Sequence, residues 1–364
     1  MKALLVAGEA SGDLYGGELA SVLRLRLPGI NLSGMGGDRM AAANVDLLYH
    51  HSDVSVIGVF EVFHKLTHLG AAYSRIRKWV LLNKPAFAVL IDFPDFNLRL
   101  ARFLKKHGIR IFYFVSPQVW AWRKDRINTL RNLIDLMICI LPFEKKLYNQ
   151  AGVDAIYVGH PLVEIVRREV SAQRPFDKGA GPLVGLMPGS RDVEVSRHLP
   201  LLIQTAQRIR ERLDLKTVIL WAPWLKIESF TIPSDIRLEK TDRYAAMQAC
   251  DLLLVASGTS TLEAAILGTP FFIIYRVSPF SWKLGKYLVR VPYYGLVNWI
   301  AEERVIPEYI QDAMNPVQLA EDAIRLLQDD SLRLRMKEDL SRIVQKLGSP
   351  GAMERAAEAI IARI

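Results

Sequence analysis

Short apolar runs recur along this chain, separated by longer segments in which apolar residues fall at helical spacing. In the first half the runs are KALLVA (2–7), FAVLID (87–92), RIFYFV (110–115), LMICIL (136–141) and AIYV (155–158). None alternates strictly with polar residues, which predicts strands buried on both faces. Between them, segments such as GGELASVLRLRL and NLRLARFLKKHG have helical spacing and basic ends. The β-α-β-α order predicts a doubly wound parallel sheet. At 171–182 the sequence SAQRPFDKGAGP carries two prolines and two glycines and reads as a linker. The alternation then restarts with LVGLMPG (183–189), KTVILWA (216–222), DLLLVASG (251–258) and PFFIIY (270–275). Two such halves imply a cleft between them, a preferred place for ligands. From about Asp330 the chain is helical by composition, apart from GSPG (348–351).

Composition narrows the class. The chain has 364 residues, 51% hydrophobic and 23% charged, which supports two packed cores and argues against disorder. Its two cysteines, Cys139 and Cys250, lie in apolar runs with no metal-ligand spacing, so a reducing compartment is expected. The apolar run before Glu9 is too short for a signal peptide, and no stretch approaches a membrane span. A net charge of +9 points to an anionic partner.

Several strand ends carry candidate chemistry. GEASGDLYGGEL (8–19) follows the first strand and opens a helix, where small residues admit a ligand and free amides favour anions. GMGGDRM (34–40) reads as a second glycine-rich turn after a strand; both segments also fit plain βα turns. DFPDFN (92–97) ends the FAVLID strand, and the C-terminal ends of parallel strands face the ligand crevice. Asp92 and Asp95 are both placed for a general base; Asp95, further into the turn, is preferred, with a helix N-cap as its other reading. In VSPQVWAWRKDRINTLR (115–131), Trp120 and Trp122 beside Arg123, Lys124, Arg126 and Arg131 could hold a base or phosphate, or simply pack under a loop.

In the second half, LMPGSRDVEV brings Gly189, Ser190 and Arg191 to a strand end, where the arginine fork suits a phosphate. VASGTSTLEAAILGTP (255–270) sets Ser257, Gly258, Thr259 and Ser260 at a helix N-terminus, a ready anion site. Glu263, one turn on, could accept two hydrogen bonds from a ribose diol or serve as a first-turn acid. There is no GxxxxGK[ST], HExxH, GxSxG or SxxK motif and no DxD pair, so phosphate charge falls to arginines, lysines and helix amides. Acid-free stretches at 62–91 and 264–301 mix cations with Trp79, Leu81, Phe280, Trp282, Tyr293 and Tyr294. They suit an anionic lipid surface or a core helix with a solvated basic face; no nucleic-acid motif accompanies them.

Together these segments resemble the lipid A disaccharide synthase family. The matching stretches are AGEASGD (7–13), GMGG (34–37), DFPDFN (92–97), FVSPQVWAWR (114–123), LPFEKKLY (141–148), VGHPL (158–162), MPGSRDVEV (187–195), ASGTSTLEAAILGTP (256–270) and 295–311. The resemblance implies an α/β GT-B fold, two Rossmann-like doubly wound domains facing each other across a cleft. Domain 1–172 would lie on the acceptor and membrane side and 173–345 on the UDP-sugar side. Helix 346–364 would return to the first domain or exchange between the protomers of a homodimer.

The resemblance also implies a metal-independent, inverting glycosyltransferase with no cofactor. UDP-2,3-diacylglucosamine would donate its sugar to 2,3-diacylglucosamine 1-phosphate, giving a β(1→6) disaccharide 1-phosphate and UDP. The enzyme would sit in the cytoplasm, peripheral on the anionic inner face of the inner membrane, with no nucleic-acid partner. Asp95 would take the proton of the acceptor 6-hydroxyl. The resemblance places Ser11 and Asn298 near the sugar and diphosphate; Gly12, Gly189, Ser190, Arg191, Ser257, Gly258, Thr259 and Glu263 complete the candidate substrate-binding set. The rival expectations are a UDP-N-acetylglucosamine 2-epimerase and a non-catalytic protein binding anionic lipid.

Overall fold

The runs without polar alternation form two parallel sheets, because strands covered by helices on both faces bury every side chain. A computed structural model describes residues 1–54, 61–117, 126–222, 224, 225, 227–288 and 291–364; the side chains of 53–66 and 284–290 also lie outside the description. The chain divides into one unit of Met1–Pro161 with Gly348–Ile364, and a second of Leu162–Leu347.

The first unit holds strands β1 (Lys2–Ala7), β2 (Asn31–Gly36), β3 (Asp46–His50), β4 (Phe87–Ile91), β5 (Arg110–Phe114), β6 (Leu136–Cys139) and β7 (Ala155–Tyr157). They form one sheet in the order β3-β2-β1-β4-β5-β6-β7. Ala3 to Ala7 and Phe87 to Ile91 are wholly buried at its centre. The GMGG segment is not a turn after a strand: Gly34, Met35 and Gly36 lie within β2. The reason is steric, since a Cβ on Gly34 would stand 1.7 Å from the carbonyl oxygen of Leu5 on the neighbouring strand.

The second unit holds β8 (Leu183–Met187), β9 (Lys216–Leu220), β10 (Arg237–Glu239), β11 (Leu252–Ala256), β12 (Phe271–Tyr275) and β13 (Glu308–Ile310), in the order β10-β9-β8-β11-β12-β13. Helix Leu162–Ala172 packs on helices Arg243–Ala249 and Ser260–Leu267, and Gln173 accepts a hydrogen bond from the Ala245 amide at 2.9 Å. This packing puts the helix in the second unit, so the division falls at Pro161 rather than at the expected residue 172. The last helix, Ala352–Ile361, packs on helix Ala10–Arg26, and Arg355 Nε donates to the Val158 carbonyl at 2.8 Å.

Both sheets reverse direction of growth once. In the first the reversal lies between β1 and β4, where Ala7 pairs with Ile91; in the second it lies between β8 and β11, where Met187 pairs with Val255. Such switch points open a crevice at the C-terminal strand ends.

Candidate functional site

At the first switch point β1 runs into GEASGD and β4 into DFPDFN. Ser11 is half-buried in the first turn of helix Ala10–Arg26, and Gly12 is buried against Ala7 and Ile91. Asp13 is buried, and its carboxylate accepts from the amides of Gly37 (2.6 Å), Arg39 (3.0 Å) and Met40 (3.1 Å). That interaction explains the pairing of the AGEASGD and GMGG motifs: one carboxylate caps the short helix Asp38–Ala42 and locks two loops together.

Asp92 and Phe93 follow β4 with φ of 44° and 47°, two successive side-chain-bearing residues in the left-handed region. Each costs of order 1 kcal/mol or more, and such strain persists only where surroundings impose it. Here the Asp92 amide donates to the Phe114 carbonyl at 3.0 Å, while its carbonyl accepts from Tyr113 Oη (2.6 Å) and Asn97 Nδ2 (2.7 Å). Burial, and secondly the nearby charge of Glu9, push the Asp92 carboxyl up to about 7. Asp95 lies in the first turn of helix Pro94–Lys106, whose N-cap is Phe93. Asp95 is largely exposed and ion-paired with the buried guanidinium of Arg126. Trp120, Trp122, Arg123 and Lys124 lie outside the described residues.

At the second switch point Gly189 turns the chain at φ 126°, a conformation that favours glycine. Glu194 accepts from the Ser190 amide at 3.1 Å and from Arg191 Nη1 at 3.2 Å. The Arg191 side chain is 61% exposed at the start of helix Asp192–Arg210. His198, buried in that helix, donates from Nδ1 to the Pro188 carbonyl (2.7 Å) and accepts at Nε2 from the Arg276 amide (2.9 Å). Burial keeps this imidazole neutral by lowering its pKa.

After β11, Ser257 Oγ donates to the Tyr294 carbonyl at 2.9 Å, and Gly258 and Thr259 are exposed ahead of helix Ser260–Leu267. Glu263 is buried; it accepts from Arg243 Nη2 and Tyr244 Oη, each at 3.0 Å. Asn298 is also buried, and its hydrogen-bonding capacity is spent within its own loop. Its Nδ2 donates to Ile306 O (2.8 Å) and Glu308 Oε1 (3.0 Å), and its Oδ1 accepts from the amides of Val305 (3.1 Å) and Ile306 (2.9 Å). Glu308 in turn accepts from the Gly295 amide at 2.8 Å. Asn298 therefore shapes the 294–295 turn that meets Ser257 and does not itself project a free group.

The structure thus gathers Gly189–Arg191 with Ser257–Thr259 in the second unit, and Ser11 and Gly12 with Asp92 in the first. Arg243, His198 and Glu308 had no signal of their own in the sequence, and Arg126, singled out there only as one of several cations for a base or phosphate, is paired with Asp95; each acts through a partner distant in the chain.

Two doubly wound parallel sheets with anion-suited strand ends define a GT-B type α/β protein. Solved structures agree: a UDP-GlcNAc 2-epimerase from Neisseria meningitidis bound to UDP-GlcNAc aligns with TM-score 0.68 at 11% identity, covering 100% of both chains. The calicheamicin glycosyltransferase CalG4 aligns with TM-score 0.63 at 14% identity, covering 99% of this chain and 97% of that one. These likenesses speak for the fold. A family model described as lipid-A-disaccharide synthetase matches residues 3–362. The lipid-A-disaccharide synthase of Syntrophus aciditrophicus (strain SB) is 44% identical over 97% of this chain and 95% of its own length. That of Geobacter sulfurreducens is 39% identical over 98% and 96%. The chain belongs to the lipid-A-disaccharide synthase family and is a glycosyltransferase.

Proposed function

We propose that this chain transfers the sugar of UDP-2,3-diacylglucosamine to the 6-hydroxyl of 2,3-diacylglucosamine 1-phosphate with inversion, and that Asp92 is the base. The acceptor oxygen forms its bond to the anomeric carbon as the bond from that carbon to the diphosphate breaks. The hydroxyl proton passes to a carboxylate, and UDP leaves with the bonding pair. The observation that carries this reading is Asp92: a strained, over-determined residue at a sheet switch point whose carboxyl titrates near neutrality. A base is most effective when its pKa lies close to the working pH. Asp95, the preferred base from sequence, is instead committed to Arg126 and exposed.

Leaving-group charge is met by Arg191 and by the amides and hydroxyls at 257–260 at the head of helix Ser260–Leu267. Each Glu263 oxygen has one protein partner and a lone pair left for a ribose hydroxyl. Asn298 and His198 act as positioning residues.

Among the described residues no helix is long and apolar enough to cross a membrane. In helix Glu61–Asn83, Ala72, Ile76 and Val80 face the core while Arg75, Arg77, Lys78, Leu81 and Leu82 are exposed. That basic-apolar face suits the anionic inner face of the inner membrane, where both acylated substrates would lie.

The test is UDP release from UDP-2,3-diacylglucosamine in detergent micelles with EDTA, with and without acceptor. Release that requires the acceptor and survives EDTA is expected. Sugar epimerisation without acceptor would overturn the reading.

A further inference from the structure

Trp224 is the most exposed tryptophan among the described side chains, with 58% of its surface open. Exposure of so large an apolar ring is unfavourable against burial, so a fixed and open indole calls for an occupant. The ring is fixed: its Nε1 donates to the Ser190 carbonyl at 2.9 Å. It stands in the segment after β9, and β9 pairs with β8, whose end carries Gly189, Ser190 and Arg191. The same Ser190 that offers its carbonyl to the indole offers its amide to Glu194, beside the Arg191 guanidinium. Two neighbouring strand-end loops, linked by this hydrogen bond, therefore set an oriented aromatic ring beside an anion-binding fork.

A ligand that uses both must carry a planar ring and a phosphate a few bonds apart. We infer that Trp224 is the stacking platform for the pyrimidine base of the donor nucleotide, an assignment that rests on the UDP-sugar reading above. Stacking suits this position for three reasons. The indole loses little freedom on binding, because Nε1 is already anchored. Its π-face makes no demand on hydrogen-bond pattern, so base identity is left to other groups. Its link to Ser190 ties seating of the base to placement of the diphosphate at Arg191.

The experiment measures binding of UDP and of inorganic pyrophosphate by calorimetry to the full-length protein and to Trp224→Ala, Trp224→Phe and Arg191→Ala. Base-on-aromatic stacking of one ring corresponds to about tenfold or more in affinity. Trp224→Ala is expected to weaken UDP about tenfold and leave pyrophosphate within twofold. Trp224→Phe, which keeps a ring and loses the indole hydrogen bond, should retain most of the UDP affinity. Equal loss for UDP and pyrophosphate in Trp224→Ala would show that the residue only props the loop, and would overturn the stacking role. So would unchanged UDP affinity in that variant, or a loss in Trp224→Phe as large as in Trp224→Ala. Failure of the wild-type protein to bind UDP, with no effect of Arg191→Ala, would instead sink the nucleotide reading itself.

Discussion

The carboxylate of Asp95 is ion-paired with the guanidinium of Arg126, a side chain that is otherwise buried. The pairing matches a guanidinium that would otherwise be buried without a counter-charge, so the carboxylate serves first to hold Arg126 in place. Replacing it should disturb the loop more than the chemistry. Asp95→Asn is expected to lower turnover less than about tenfold, below the factor of about a hundred or more that loss of a general base brings. Steady-state UDP release at saturating acceptor checks this; a larger loss would return Asp95 to the reaction.

Asp92 has the reverse situation, and its stability signature has the opposite sign. Its carboxyl is raised from its ordinary 3.8 to about 7, so the folded protein holds a proton there that the unfolded chain has released. Between about pH 4 and 7 the folded state binds more protons, and stability falls as pH rises through that window. Asp92→Asn removes this unfavourable charge. It is expected to raise stability at pH 8 by about 1–2 kcal/mol, allowing for solvent screening, with no gain at pH 4. Urea melts at the two pH values decide it; an equal change at both would show that the carboxyl is not displaced by folding.

Arg191 and the 257–260 turn are assigned to the diphosphate, and their contributions should show in nucleotide affinity. Arg191→Ala is expected to weaken UDP about a hundredfold, the scale of a two-point charged hydrogen bond. Arg191→Lys should recover only part of it, since an ammonium cannot present a planar fork. Unchanged affinity in both variants, measured by calorimetry, would remove Arg191 from the donor site.

Asn298 is tied into four hydrogen bonds inside its own loop, so its loss is structural first. Asn298→Ala should destabilise the protein by about 2–4 kcal/mol, because buried amides and carbonyls are left unmatched. It should also raise the KM for the donor, as the 294–295 turn is released from Ser257. A variant of normal stability with a large drop in kcat would contradict this role and favour direct contact with substrate.

The sequence made the architecture legible where strands are long and apolar. β1, β4, β5, β8, β11 and β12 announce themselves as runs, and the motifs at their ends fall on both switch points. β2, with the sequence NLSGMG, looks like a turn because its glycines serve a close approach between strands and not a reversal. β10 (RLE) and β13 (EYI) are three residues each and carry charged positions, so neither registers as an apolar run. The site was readable as a set of strand ends but not as a set of roles. Spacing cannot reveal that Arg126 reaches back to Asp95, or that Glu9 and burial raise Asp92. Nor can it show that Arg243 and Tyr244 already hold Glu263, since each partner is set by the fold rather than by local pattern. Asn298 lies in a matching segment of the family, yet its capacity is consumed before any ligand arrives.

The central claim is that Asp92 takes the acceptor proton, and the pH dependence of kcat/KM for acceptor-dependent UDP release tests it most directly. The wild-type profile should show an ionisation near pH 7, with activity rising as Asp92 deprotonates. Asp95→Asn should keep that ionisation, whereas Asp92→Asn should lose it together with a factor of about a thousand in rate. An unaltered profile and near-normal rate in Asp92→Asn would contradict the account.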